Sequence, residues 1–292
     1  MDGRQKPVFS RKIALVFDMQ GSLVGELEAH GYFDKSRLLR RIFFSIERLI
    51  TKLPQFIICS SQASVNILFN QFGVTPARVA LVNDGVDVTA SLDTASSDAL
   101  KKELSIPENK SVIVYTGALL ESKGLQTLFN IILEASKRKV DCHFLIVGYP
   151  EQAIIDFLIA NQLQKNCTIV GRIPFEQLGD YLGIGVIAIE PKAGATGEAS
   201  GKLLNYMGAG LPVICFDTEN NRQLLGDYGY YVSPGSITEF LEHIEELIGD
   251  PDKAIHHGAE GKKRVLEKFS WNASADTIYA VYSKSVSMAK NN

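Results

Sequence analysis

No stretch of eighteen apolar residues occurs in this 292-residue chain, so the sequence offers no helix long enough to span a bilayer. It also lacks a basic excess. Thirty Lys and Arg stand against 33 Asp and Glu, for a net charge of -3, which is not the balance of a nucleic-acid binder. Cysteine is scarce: Cys59, Cys142, Cys167 and Cys215 form no C-x-x-C pair, and each sits in or beside an apolar, strand-like run. That pattern reads as buried reduced thiols, not as disulfides or a zinc site. The five histidines, His30, His143, His243, His256 and His257, have no Cys or Asp at ligand spacing. They are expected at surface or helix positions, with no metal site. No G-x-G-x-x-G follows a strand near the start of either half, and no G-x-S-x-G occurs. The dinucleotide fingerprint and the serine-hydrolase elbow are therefore both missing. Tandem repeats and low-complexity tracts are absent too. At the start, basic residues precede a short apolar stretch that Asp18 interrupts, and no small-residue cleavage site follows. Ile13 to Phe17 thus reads as a strand, not a signal peptide.

The material present is ordinary for a globular chain, 46% hydrophobic and 22% charged, enough for buried cores. Its rhythm is a short β-branched run, a turn, then a helical stretch, which argues for parallel sheets covered by helices. Continuous apolar runs mark strands buried on both faces. They lie at 13–17, 56–59, 79–82, 112–115, 144–147, 168–170, 186–189 and 213–216. Helices are expected at 37–53, 61–72, 123–138, 151–162, 175–182, 202–208, 237–248, 251–269 and 272–288. In the first of these, Leu39, Phe43, Ile46, Ile50 and Leu53 form one apolar stripe. Beside it, Lys35, Arg37, Arg40 and Arg41 read as the solvated edge of a packed helix. The fold class is α/β, with two Rossmann-like domains. Residues 1–88 form a partial first domain, 89–110 a linker containing a short helical piece, 111–270 a second domain, and 271–292 a C-terminal helix. The first domain holds three strand candidates where about six are usual. At ~30 residues per βαβ unit, about a hundred residues are missing from it.

Three segments carry chemistry. In Val114-Tyr-Thr-Gly-Ala-Leu-Leu-Glu-Ser-Lys-Gly124 a strand ends, Gly117 opens a loop, and a helix begins near Lys123 and Gly124. Helix-start amides beside an ammonium suit a phosphate group. By itself this segment reads more readily as a plain strand–turn–helix with a solvated lysine. In Glu190-Pro-Lys-Ala-Gly-Ala-Thr-Gly-Glu-Ala-Ser-Gly-Lys-Leu-Leu-Asn205 a loop of small residues follows a strand's carboxyl end, where α/β sheets bind ligands. Thr196, Glu198, Ser200 and Lys202 cluster at its helix mouth. The third, Phe56-Ile-Ile-Cys-Ser-Ser61 followed by Val82-Asn-Asp-Gly-Val-Asp87, contributes a turn signal at Asp84-Gly85.

The order IICSSQ, RVALVNDGVD, YTGALLESKG, GRIPFEQL and GKLLNYMGAGLPVI resembles the family-four, group 1 glycosyltransferases of the two-domain GT-B fold. Each motif is weak alone, but five in this order and spacing make a strong resemblance, running from about Ile13 to the last helix. It implies transfer of a sugar from a nucleoside diphosphate sugar, UDP or GDP type, to an acceptor hydroxyl with retained configuration. It implies no cofactor and no metal. The implied partners are the donor, a glycan or lipid-linked acceptor, and a partner chain supplying the missing strands; nucleic acid is not among them. The implied setting is glycan or polysaccharide biosynthesis in the cytoplasm, or peripherally at the inner face of the membrane. The alternative is a nucleotide-sugar-binding half that needs a partner chain or is inactive. In the family the C-terminal helix crosses back to the first domain.

The implied site residues follow position by position. Lys123 matches the lysine on the donor diphosphate, flanked by Gly117 and Gly124. The amides of Ala199, Ser200, Lys202 and Leu203 match those that hold phosphate and sugar. Arg172 and Ile173 match the loop beside the nucleobase. Asn205 stands where a glutamate contacts ribose hydroxyls, and it keeps hydrogen-bonding capacity without charge. Gly197 aligns with the glutamate on sugar hydroxyls, so adjacent Glu198 is the expected substitute, with Thr196 beside it. Ala118 replaces the arginine of the family's G-R-L, and Lys202 is expected to supply that charge. Val16-Phe-Asp-Met-Gln-Gly resembles a segment whose histidine serves the reaction centre. Gln20 takes its place, able to bind a hydroxyl but not to act as a base near neutral pH.

Overall fold

The computed structural model describes residues 13–29, 31–34, 36–86, 94–193 and 200–291. They form two compact units, one of residues up to Gly85 with the C-terminal helix Trp271–Asn291, the other of residues from Val86 to Ser270.

The first unit is built on a parallel sheet in the order β1-β2-β3, with β1 at Val16–Met19, β2 at Phe56–Cys59 and β3 at Val79–Leu81. The first strand lies three residues later than its apolar run suggests. Leu15 and Ile13 are exposed, and the backbone N–H of Leu15 donates to the Gln55 side chain. Helix α1, Leu23–Ala29, was not foreseen from the sequence. Its start is held by a buried carboxylate on α2, Arg37–Ile50: Glu47 accepts from Leu23 N at 3.0 Å, Val24 N at 3.1 Å and Ser22 Oγ at 3.2 Å. Such a carboxylate satisfies N–H groups that a helix start leaves unpaired. On α3, Gln62–Asn70, Ser61 accepts from Ser64 N as its N-cap. One sheet face packs Met19, Ile57 and Cys59 against Val65 and Leu68 of α3, with Phe44 of α2 alongside. On the other face Phe56 and Ile58 meet Val281 of the C-terminal helix, and Ser274 Oγ donates to Asn83 O at 2.8 Å.

The apolar stripe expected to pack α2 does not. Leu39, Ile46, Ile50 and Leu53 are exposed, and Leu38, at 68%, and Leu49, at 59%, widen the same exposed surface. The inward side is instead set by Phe44 and Glu47. Phe43 of that stripe is partly buried, its ring centre 5.8 Å from that of Phe33; a three-stranded sheet has little face to offer the rest of that side.

In the second unit, helix α4, Thr94–Glu103, forms within the stretch expected as linker, and Ile106 is buried in the core. Six parallel strands follow: β4 Ser111–Ala118, β5 Cys142–Tyr149, β6 Cys167–Val170, β7 Ile187–Glu190, β8 Val213–Phe216 and β9 Gly229–Val232. Their order is β6-β5-β4-β7-β8-β9. The last strand escaped sequence reading because Gly-Tyr-Tyr-Val mixes glycine and phenols instead of an aliphatic run. Alternate residues of β4 serve opposite layers. Ile113 and Tyr115 face helices α5, Leu125–Arg138, and α6, Gln152–Ala160. Val112 and Val114 face the layer holding α7, Leu178–Gly183, and α8, Gly201–Gly208. Helices α9, Glu219–Leu225, and α11, Pro251–Lys268, join that second layer, and α10, Ile237–Gly249, joins the first. All four cysteines are buried and free; burial pushes the thiols of Cys59 and Cys142 up to about 12. His143 departs from expectation. It is buried in β5, 2.9 Å from Thr168 Oγ1, and burial pulls its pKa below the usual histidine value. His30 lies outside the described residues.

Glu47→Ala is expected to lower unfolding stability by about 2–3 kcal/mol, because it strands buried donors. Ile42→Lys, on the exposed side of α2, should change it by less than about 0.5 kcal/mol. Urea denaturation of both variants checks this, and a comparable loss in the second would mean that the side is packed.

Candidate functional site

In an open parallel sheet, ligands bind at the carboxyl ends of strands where the strand order reverses. Here the reversal lies between β4 and β7, so the site falls where the loops after these two strands leave the sheet. A cleft of about 410 Å³ opens there, lined by Thr116, Gly117 and Ala118, by Gly148 and Tyr149 at the end of β5, by Gly171 to Ile173, and by Lys202 and Asn205 of α8.

Two glycines set the backbone here, Gly117 in the lining and Gly124 in the turn before α5. Gly117 has φ +129°, and a Cβ there would sit 3.3 Å from Lys202 Nζ. Gly124 has φ +90° at the start of α5, and a Cβ there would lie 2.4 Å from the Pro191 carbonyl oxygen. Only glycine allows both the backbone turn and this close approach of the two loops. Tyr206, fully buried, locks β4 to α8: its hydroxyl accepts from Thr116 N at 2.8 Å and lies 3.1 Å from Thr116 Oγ1.

The electrostatic centre is Lys202. Its Nζ stands 3.0 Å from Glu190 Oε2 and 4.7 Å from the centre of the Tyr115 ring. The Glu190 contact is an ion pair only; no described group hydrogen-bonds to Nζ with good alignment, although the atom is buried. Glu190 itself accepts from Lys192 N at 3.1 Å and Ser200 Oγ at 3.0 Å. Burial, with the Glu190 charge second, pushes the Tyr115 and Tyr206 phenols above their ordinary value.

Of the residues predicted from sequence, the cleft brings together Gly117, Arg172, Ile173, Lys202 and Asn205. Ser200 caps the start of α8, but its hydroxyl is committed to Glu190. Leu203 is fully buried in the core and its N–H already donates to Ser200 O, so neither is offered to a ligand. Lys123 and Gly124 lie in the turn before α5, outside the lining of this cleft. Thr196, Gly197, Glu198 and Ala199 lie outside the described residues. Gln20 belongs to the first unit, where its amide donates to Asp18 Oδ1 at 2.6 Å. Sequence reasoning passed over Glu190, Tyr115 and Tyr206. Only Glu190 left a signal: an acidic residue closing an apolar strand, immediately before a proline.

Residues 110–250 match the family model for glycosyl transferases of group 1. Among curated proteins, the chain is 24% identical to an alpha-D-kanosaminyltransferase of Streptomyces kanamyceticus over 65% of its own length and 50% of that protein. It is 20% identical to an alpha-maltose-1-phosphate synthase of Mycolicibacterium smegmatis over 82% of its own length and 65% of that protein. The chain thus spans half to about two thirds of these relatives. Among solved structures, Anabaena Alr3699/HepE in complex with UDP-glucose superposes with a TM-score of 0.77 at 16% identity, covering 93% of this chain and 72% of that one. A sucrose-phosphate synthase from Thermosynechococcus elongatus gives 0.75 at 18%, covering 92% and 67%. These neighbours share the α/β GT-B fold of parallel sheets flanked by helices. Over residues 110–250, just under half of its length, the chain is similar to the group 1 glycosyltransferases.

Proposed function

We propose that this chain transfers a sugar from a nucleoside diphosphate sugar to an acceptor hydroxyl with retention, in glycan or polysaccharide biosynthesis, and that its second unit holds the donor. The observation that carries the reading is the cleft at the strand-order reversal, with a buried, hydrogen-bond-deficient ammonium at its edge. The nearby fold of a protein crystallised with UDP-glucose supports it. Lys202 then takes the place of the arginine that Ala118 replaces. A fixed positive charge in a water-poor site stabilises a leaving diphosphate more than it stabilises the intact donor, because negative charge develops there as the glycosidic bond breaks. Arg172 and Ile173 face the nucleobase, and Asn205 the ribose hydroxyls. No metal enters this scheme. Lys123 and the start of α5 form a second phosphate contact, and the resemblance assigns catalytic roles to Glu198 and Gln20.

The second reading, a donor-binding half that transfers nothing alone, is favoured by one observation. Among the described residues, the first unit's sheet has three strands, with β1 at its edge. On either reading α2 suits a lipid-linked acceptor, because its exposed leucines and isoleucines lie on the same helix as Arg37, Arg40 and Arg41.

Titration calorimetry with UDP and with GDP, in EDTA, is expected to give micromolar binding to one of them. Lys202→Ala should weaken it roughly 10-fold or more, the cost of one charge-assisted contact. A folded protein that binds neither nucleotide, or a variant with unchanged affinity, would falsify the donor assignment or the role of Lys202 respectively. Transfer or hydrolysis of the matching nucleotide sugar then separates the two readings. Sedimentation with vesicles containing anionic lipid should retain the wild type and release Ile42→Lys. Equal retention of both removes α2 from any membrane contact.

A further inference from the structure

Glu190 and Lys202 differ in how fully each is committed. The carboxylate side chain is 2% exposed, and both its oxygens are engaged: Oε1 by Lys192 N, Oε2 by Ser200 Oγ. Those two contacts lie on either side of the loop between β7 and α8, so the carboxylate is anchored without the lysine. Lys202 is 17% exposed, and its Nζ is held by charge and by the Tyr115 ring, with its N–H groups unmatched. An ammonium on a four-carbon stem reorients easily, whereas a carboxylate fixed by a backbone amide and a hydroxyl does not. One partner is therefore stationary and the other is free to leave.

We propose that Glu190 is a positioning residue that acts as an internal counter-ion: it holds Lys202 beside Gly117 until the donor's diphosphate takes the lysine from it. This rests on the donor reading above and deepens it. A buried negative charge next to a diphosphate site opposes the anion it is meant to admit. Its benefit is a lysine kept in place and neutralised, so that the site does not hold the product diphosphate too tightly after transfer. Glu190 touches neither donor nor acceptor in this scheme; it acts through Lys202 and through the two ends of the loop.

The test compares wild type, Glu190→Gln and Glu190→Asp in calorimetric titrations with UDP, uridine and inorganic pyrophosphate. Glutamine keeps the length and polar contacts but removes the charge. It is expected to bind UDP and pyrophosphate about 10-fold more tightly, with uridine unchanged, since only the anionic portion feels the lost repulsion. Aspartate keeps the charge with a shorter reach and should bind pyrophosphate no more tightly than wild type. A Glu190→Gln protein with no gain for pyrophosphate, or with parallel changes for uridine and UDP, overturns the inference in favour of a purely structural role. A 10-fold gain in Glu190→Asp overturns it as well, because loosening the loop would then be the cause. If the wild type binds neither UDP nor GDP, the donor reading fails on its own. The pyrophosphate comparison still decides the counter-ion role, a gain in Glu190→Gln alone upholding it and no gain sinking it.

Discussion

A parallel strand covered by helices on both sides spends its side chains on packing, so chemistry is pushed to the ends where the chain leaves the sheet. In the second unit this constraint is close to absolute: β7 and β8 are buried along their full length. The first residue of β7 free to be ionic is its last, Glu190, and the side chains of Ser200 and Lys202, at the start of the following helix, answer it. The ion pair, the buried Tyr206 lock between β4 and α8, and the two glycines that let the loops approach are consequences of one strand-order reversal.

Much of this was legible in the sequence, because burial on two faces writes itself as uninterrupted apolar runs. Phe56–Cys59 and Val213–Phe216 coincide with the structural strands, Val79–Leu81 differs by a residue at one end, and Ile187–Glu190 by one at each end. What escaped has physical reasons. Gly229–Val232 carries two tyrosines that use ring surface to pack, Tyr231 also donating to the Gly226 carbonyl, so its composition does not read as a buried strand. Helix α1 is short and capped from a distance by Glu47, a long-range contact that no local pattern announces.

The site was legible in part for a similar reason. Lys202, Asn205, Arg172 and Ile173 could be named because motif spacing fixes which backbone position reaches the cleft. Spacing does not reveal which polar atoms are already spent. Leu203 was assigned to the donor by resemblance, yet its amide is satisfied within the turn. Glu190 was seen only as the end of a strand, since the meaning of a buried carboxylate depends on what surrounds it. On α2 the pattern was correct and its interpretation was not: the stripe exists, but a sheet of three strands leaves it uncovered.

The C-terminal helix has a bearing on the order in which the protein is made. It covers one face of the first unit's sheet, through Val281 on Phe56 and Ile58, yet it is synthesised after the whole of the second unit. At ~5–20 residues per second, β1 to β3 wait about 10–40 s on the ribosome with that face bare. The second unit, whose residues all precede Trp271, is synthesised in that interval. The early strands are thus the part of this chain left longest without their cover, and a truncation after Ser270 would keep the second unit's residues while exposing the first unit's sheet to aggregation.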